Sequence, residues 1–165
     1  MIKTVWYLES WNLFGICNLE FEADMLSWFF RNQIKRGERM KKRIVQTDKA
    51  PQAIGPYSQA IRAGDFLFLS GQIPLDPKTG DLVKGDIRQQ TKQVLENIKG
   101  ILESQELGMK DLVKITIFLK DIENFSQVNE VYSDYFPDFP PARSTVEVAR
   151  LPRAAEIEIE AIALI

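Results

Sequence analysis

The run from Glu156 to Ile165 constrains the fold of this chain more than any other stretch. Successive side chains of a strand point to opposite faces, so Ile157, Ile159, Ala161 and Ala163 share one face and Glu156, Glu158 and Glu160 share the other. Farther along, the glutamate face turns apolar at Ile162 and Leu164. A wholly apolar face has to lie on a core, and an upstream segment is suited to cover it. Ile87, Thr91, Val94, Leu95, Ile98, Ile101 and Leu102 recur at helical spacing behind Asp86, a good N-cap, with lysine, glutamine and glutamate on the opposite side. This pattern describes a helix lying on a sheet. The mixed face of the strand has two readings. Either it meets another subunit or lines a cleft, or it is a solvated edge whose repeated charge blocks sheet aggregation.

Other elements follow the same logic. Residues 43–45 read as a short strand, and Gly64-Asp65 reads as a tight turn between two strands. The continuous apolar run Phe66-Leu67-Phe68-Leu69 is read as a buried strand. Alternation over residues 113–119 predicts a strand with Val113, Ile115, Ile117 and Leu119 facing inward. Asn124 is placed to cap a second helix through Phe125, Val128, Val131, Tyr132 and Tyr135, which Pro137 closes. Asn129, at the margin of that helix's apolar face, reads by itself as a half-buried amide bonding to backbone.

Composition narrows the chemistry. The 165 residues are 45% hydrophobic and 27% charged, as in an ordinary soluble single domain. With a formal charge of -2 and no basic run interleaved with aromatics, nucleic acid is not an expected partner. There is no histidine, and Cys17 is the only cysteine, which excludes Ser-His and Cys-His nucleophiles, disulfides and most metal sites. Acid-base work falls to carboxylates, tyrosine, lysine or water.

Residues 1–39 differ from the remainder. They hold all three tryptophans and Cys17, but no secretory signal, transit-peptide pattern or membrane span. Lys35-Arg36-Gly37-Glu38-Arg39, before Met40, has codons that can all be purine-rich, as in a ribosome-binding site. Met40 is therefore the expected natural start and residues 40–165 the expected domain. The rival reading is an aromatic-rich arm that docks on the domain or on a partner.

Two places invite a ligand. Phe139-Pro140-Pro141-Ala142-Arg143 delivers an arginine to the entrance of a strand, because each residue before a proline is pushed toward extended geometry. A guanidinium held there suits a carboxylate or phosphate, to which it donates two parallel hydrogen bonds. At Ser70-Gly71-Gln72-Ile73-Pro74, a small hydroxyl and a glycine allow close approach of a ligand or another chain.

Taken together, Ala53-Ile54-Gly55-Pro56-Tyr57, Ser70-Gly71-Gln72-Ile73-Pro74, Asn129, Pro141-Ala142-Arg143-Ser144 with Val148-Ala149-Arg150-Leu151-Pro152, and the Ile157 to Ala163 strand resemble the RidA (YjgF-type) family of reactive-intermediate imine and enamine deaminases. The resemblance runs from about Met40 to Ile165. It implies an α+β, chorismate-mutase-like fold with a mixed sheet and two helices packed on one face. It also implies a cytoplasmic homotrimer with pockets between subunits. The implied activity is hydrolysis of 2-aminoacrylate and 2-iminopropanoate type intermediates to 2-keto acids and ammonia, without cofactor or metal. Carried over by residue, Arg143 would hold the substrate carboxylate and Glu158 would activate water. Backbone groups of Gly71 and Thr145 would bind substrate, Tyr57 would close the pocket from the neighbouring subunit, and Ser70 and Asn129 would support the site. Thr145 stands where many members have cysteine, the segment between Asn129 and Arg143 is shorter than in some relatives, and residues 1–39 have no counterpart. Two other functions remain open: a non-catalytic small-carboxylate-binding regulator, and a ribonuclease or translation inhibitor, which the acidic charge and missing histidine disfavour. A chorismate mutase rests on fold analogy alone.

Overall fold

The computed structural model describes residues 41–165, and the readings made above for residues 1–39 and for a start at Met40 lie outside them. The element order is β1 (Arg43–Val45), β2 (Ala60–Ala63), β3 (Phe66–Gln72), α1 (Ile87–Glu103), β4 (Leu112–Leu119), α2 (Phe125–Tyr135), β5 (Ala142–Glu147) and β6 (Ile157–Leu164). All six strands join one sheet in the order β1-β2-β3-β6-β4-β5. Only β4 and β5 run parallel; every other neighbouring pair is antiparallel. The final strand thus fills a slot between β3 and β4, which the α1 crossover leaves one strand apart. This is the mixed sheet with two helices that the resemblance implies.

Helix α1 forms for the reasons its sequence suggests. Asp86 Oδ1 accepts from the Gln89 N–H at 3.0 Å and Gln89 Oε1 accepts from the Asp86 N–H at 3.0 Å, a reciprocal capping box. Val94, Leu95, Ile98, Ile101 and Leu102 are wholly buried, packed with Ile115, Ile117 and Leu119 of β4 and with Ile157, Ile159 and Ala163 of β6. Val128 and Tyr132 of α2 enter the same core. Asp86 was identifiable because its side chain caps directly. Asn124 occupies the N-cap position of α2 without a side-chain cap hydrogen bond. A 3-10 turn at Ile122–Asn124 precedes the helix, and there it is Asp121 that accepts from the Glu123 N–H.

Two strand readings are corrected. Val113 is 41% exposed rather than inward, because Leu112 pairs with Ala163 and Lys114 with the adjacent Ile162, which makes Val113 the extra residue of a bulge. The Phe66 to Leu69 run is not buried on both faces. Leu67 and Leu69 enter the core, but Phe66 and Phe68 are 43% and 45% exposed on the face away from the helices. On that face the register aligns Ile44, Ile61, Phe68 and Ile162 across four strands, with Phe66 opposite Leu164. The β2–β3 hairpin turns at Gly64, whose φ of 61° lies in the left-handed region that glycine enters at least cost. Among the described residues, no helix is long and apolar enough to cross a membrane.

Gly100 marks a close approach of a loop to α1. A Cβ added there would overlap the Lys49 backbone carbonyl, next to the fully buried Ala50. In an open helix, glycine to alanine gains about 1 kcal/mol. Here Gly100→Ala should instead destabilise by roughly 1–3 kcal/mol, as overpacking does, and a denaturant melt of the purified variant will read the sign.

Candidate active site

The first polar cluster is built on the bulge in β3. Leu69 pairs with Ala161 and Gln72 with Ile159, so Ser70 and Gly71 together face the single residue Glu160. The bulge is pinned from behind, where Ser70 Oγ donates to the Ser58 carbonyl at 2.6 Å and the Ser70 N–H donates to the Gln59 carbonyl at 3.0 Å. Gln59 is buried, and its side-chain amide donates to the carbonyls of Thr47, Ala50 and Pro51 while accepting from the Thr47 N–H, which ties the 46–59 loop down. The Glu158 carboxylate lies directly over Gly71, and a Cβ at that position would overlap it. A side chain there would therefore displace the Glu158 carboxylate from this position. These residues, with Tyr57, Gln72, Pro152 and Arg153, line a cleft of about 580 Å³. Arg153 and Ala154 in the wall of the loop before β6 both have left-handed backbones, with φ of 55° and 56°. Burial raises the Glu158 carboxyl above its ordinary value, and the like charge of Glu160 raises it further.

The second cluster surrounds Arg143. Residues 125, 129 and 132 of α2 lie on one stripe, and the Arg143 guanidinium sits over that stripe, 4.6 Å from the Tyr132 ring centroid and 5.6 Å from that of Phe125. Asn129 Oδ1, Tyr132 Oη and Thr145 Oγ1 are all buried without a hydrogen-bond partner among the described residues. Buried polar atoms are nearly always paired, so these three oxygens have free capacity to bond a bound molecule or ordered water. The local reading of Asn129 as an amide bonding to backbone leaves its orphaned oxygen unexplained. Tyr132 was assigned to the apolar stripe of its helix and was not recognised as part of a site. The signal available in the sequence was an amide between two aromatics at helical spacing.

The strand registers place these clusters on opposite faces of the sheet. Arg143 pairs with Ile115 and Thr145 with Ile117, both of which face the helices. Glu158 pairs with Phe118, which faces away from them. Tyr57, Ser70, Gly71 and Glu158 therefore share one cleft of the chain, while Asn129, Arg143 and Thr145 gather on the other side. No group of three or more His, Cys, Asp or Glu side chains among the described residues is arranged to hold a metal ion.

The fold is that of a class of small α+β proteins that includes E. coli TdcF. The crystal structure of TdcF with bound serine matches with a TM-score of 0.72 and 43% identity, over 74% of this chain and 98% of that one. More particularly, residues 47–165 match the family described as Endoribonuclease L-PSP, and the chain belongs to this family of RidA, YjgF and RutC proteins. It is 59% identical over 122 residues to a RutC family protein of Pyrococcus horikoshii, covering 74% of this chain and 97% of that protein. It is 51% identical over 124 residues to the chloroplastic Reactive Intermediate Deaminase A of Arabidopsis thaliana, covering 75% of this chain and 66% of that protein. The family thus includes reactive intermediate deaminases alongside members with endoribonuclease names.

The raised Glu158 carboxyl has a measurable cost. Between the ordinary and the raised value, the folded chain binds more protons than the unfolded chain, so this group's contribution to stability falls as pH rises through that window. Glu158→Gln should therefore melt above the parent at about pH 7.5 and level with it below about pH 4, as scanning calorimetry will show.

Proposed function

We propose that the chain hydrolyses imines of small 2-keto acids, of the 2-iminopropanoate type, and that the domain responsible is residues 40–165. The observation that carries this reading is the Glu158 carboxylate, raised in its proton affinity, poised over Gly71 in the cleft and in no ion pair among the described residues. A carboxylate so tuned is a stronger base than one in water. Arg143, with an unpaired guanidinium among the described residues, holds the carboxylate of the substrate through its planar fork.

An enamine such as 2-aminoacrylate first takes a proton on carbon to become the imine. The protonated imine carbon is already electrophilic, so water adds to it while Glu158 accepts the water's proton. The resulting carbinolamine carries hydroxyl and amine on one carbon. Glu158 returns the proton to nitrogen, the C–N bond breaks and ammonia leaves, and Glu158 takes up the hydroxyl proton as that oxygen becomes the keto group, then passes it to ammonia. One water is consumed and one ammonia released, with no change of oxidation state. A positioned base contributes roughly 10²- to 10⁴-fold to such a reaction, and confinement of water and substrate adds to it.

Because the sheet separates Arg143 from Glu158, the reading requires that Arg143 of one copy meet Glu158 of another. The apolar row Ile44, Ile61, Phe68 and Ile162, with the exposed Phe66 and Leu164, supports burial of that face in a homotrimer. The bound serine in E. coli TdcF favours a second reading, a binding protein for small carboxylates with no turnover.

The two readings separate in one assay. 2-Aminoacrylate is generated from serine by a dehydratase, and pyruvate formation is followed alongside semicarbazide trapping of the imine. Catalysis predicts faster pyruvate formation and less trapped imine, with kcat/KM lowered at least about 100-fold by Arg143→Ala or by Glu158→Gln. Saturable carboxylate binding without acceleration would leave the sensor. Shared sites make a further prediction: co-refolding inactive Arg143→Ala chains with inactive Glu158→Gln chains should restore activity, since one interface then holds both native residues. Full inactivity of the mixture would exclude a site divided between copies.

A further inference from the structure

Arg143 is held in an unusual way for a residue that has to present its fork in one orientation. The ion pairs formed among the described residues are Lys49 with Glu103 and Arg88 with Glu130, and Arg143 takes part in neither. What it touches is aromatic: the Tyr132 ring at 4.6 Å and the Phe125 ring at 5.6 Å. Those two residues are seven apart, two helical turns, so both rings project from the same stripe of α2 and bracket the guanidinium. Tyr132 is only 6% exposed and is itself backed by Phe136, with ring centroids 4.5 Å apart. The seat is therefore anchored in the core on one side, while Phe125, at 39% exposure, closes it from the surface.

The choice of rings over an acid has a chemical consequence. A carboxylate partner would occupy N–H donors of the guanidinium and offset its charge, and an incoming anion would have to compete with it. A ring face attracts the cation without taking donors in its plane and without adding a formal negative charge. We propose that Phe125 and Tyr132 are positioning residues, an aromatic seat that fixes the Arg143 fork while leaving its charge and donors for the ligand carboxylate. This rests on the reading of Arg143 as the carboxylate holder given above.

The test uses the full chain, with 2-iminopropanoate made in situ from alanine by an amino acid oxidase as substrate and 2-oxobutanoate as a stable carboxylate for calorimetric titration. Tyr132→Leu should raise KM and the 2-oxobutanoate dissociation constant about tenfold, and Phe125→Leu about threefold, while kcat stays within about threefold of the parent. Tyr132→Phe keeps the ring and should recover most of the loss that Tyr132→Leu shows in both constants. Phe125 lies at the surface, so Phe125→Leu decides the matter if the core variant does not fold. Parent-like KM and affinity in folded Leu variants would overturn the seat, as would a loss in Tyr132→Phe equal to that in Tyr132→Leu. If Arg143→Ala leaves the parent's binding and turnover intact, the carboxylate-holder reading falls and the seat falls with it. If Arg143→Ala abolishes binding and the Leu variants do not weaken it, the seat alone falls.

Discussion

Everything in this molecule depends on the two-sided pairing of its last strand. β6 hydrogen-bonds to β3 along one edge and to β4 along the other, so it can be seated only when the β3–α1–β4 crossover has left a gap one strand wide. Its helix-facing residues Ile157, Ile159, Ala161 and Ala163 then close the core against α1. Because a strand alternates strictly, the same event sets Glu158 on the far side, opposite Phe118 and over Gly71. Core closure and placement of the carboxylate are one act of folding. A slip of one residue would bury the glutamates under α1 and expose the isoleucines, an exchange no marginally stable domain tolerates.

The two polar clusters use different physics. Glu158 is tuned by withdrawal of water and by the neighbouring Glu160, both of which favour its protonated form and strengthen it as a base. Arg143 cannot be tuned in that way, because a guanidinium stays protonated; its environment sets orientation and competition instead. Buried oxygens on Asn129, Tyr132 and Thr145, unpartnered among the described residues, are a cost tolerated by the fold.

Much of the fold was legible because β4, β6 and α1 carry periodicities that admit one interpretation each. The failures were local and physical. Val113 fitted the alternation, and only the pairing of Leu112 and Lys114 with adjacent residues of β6 reveals the bulge. Phe66 and Phe68 lie on the face away from the helices, and an unbroken apolar run does not tell the core face from the other. At the site, the prolines before Arg143 signalled a presented arginine. That Arg143 and Glu158 lie on opposite faces depends on the β4–β5 register, which no single strand contains. Tyr132 was hidden for a different reason: its ring satisfies the helix's apolar pattern, and its role follows from what rests on it.

The bulge at Ser70 and Gly71 separates two kinds of change open to this architecture. Glu158, Gly71 and Arg143 all belong to strands paired within the sheet, whereas much of the cleft wall comes from the 46–59 loop and from the turn containing Pro152 and Arg153. Loops accept substitutions and changes of length that a paired strand does not. Descendants of this chain can therefore reshape the cleft by rewriting its wall, with the sheet inherited intact and the positions of Glu158, Gly71 and Arg143 undisturbed.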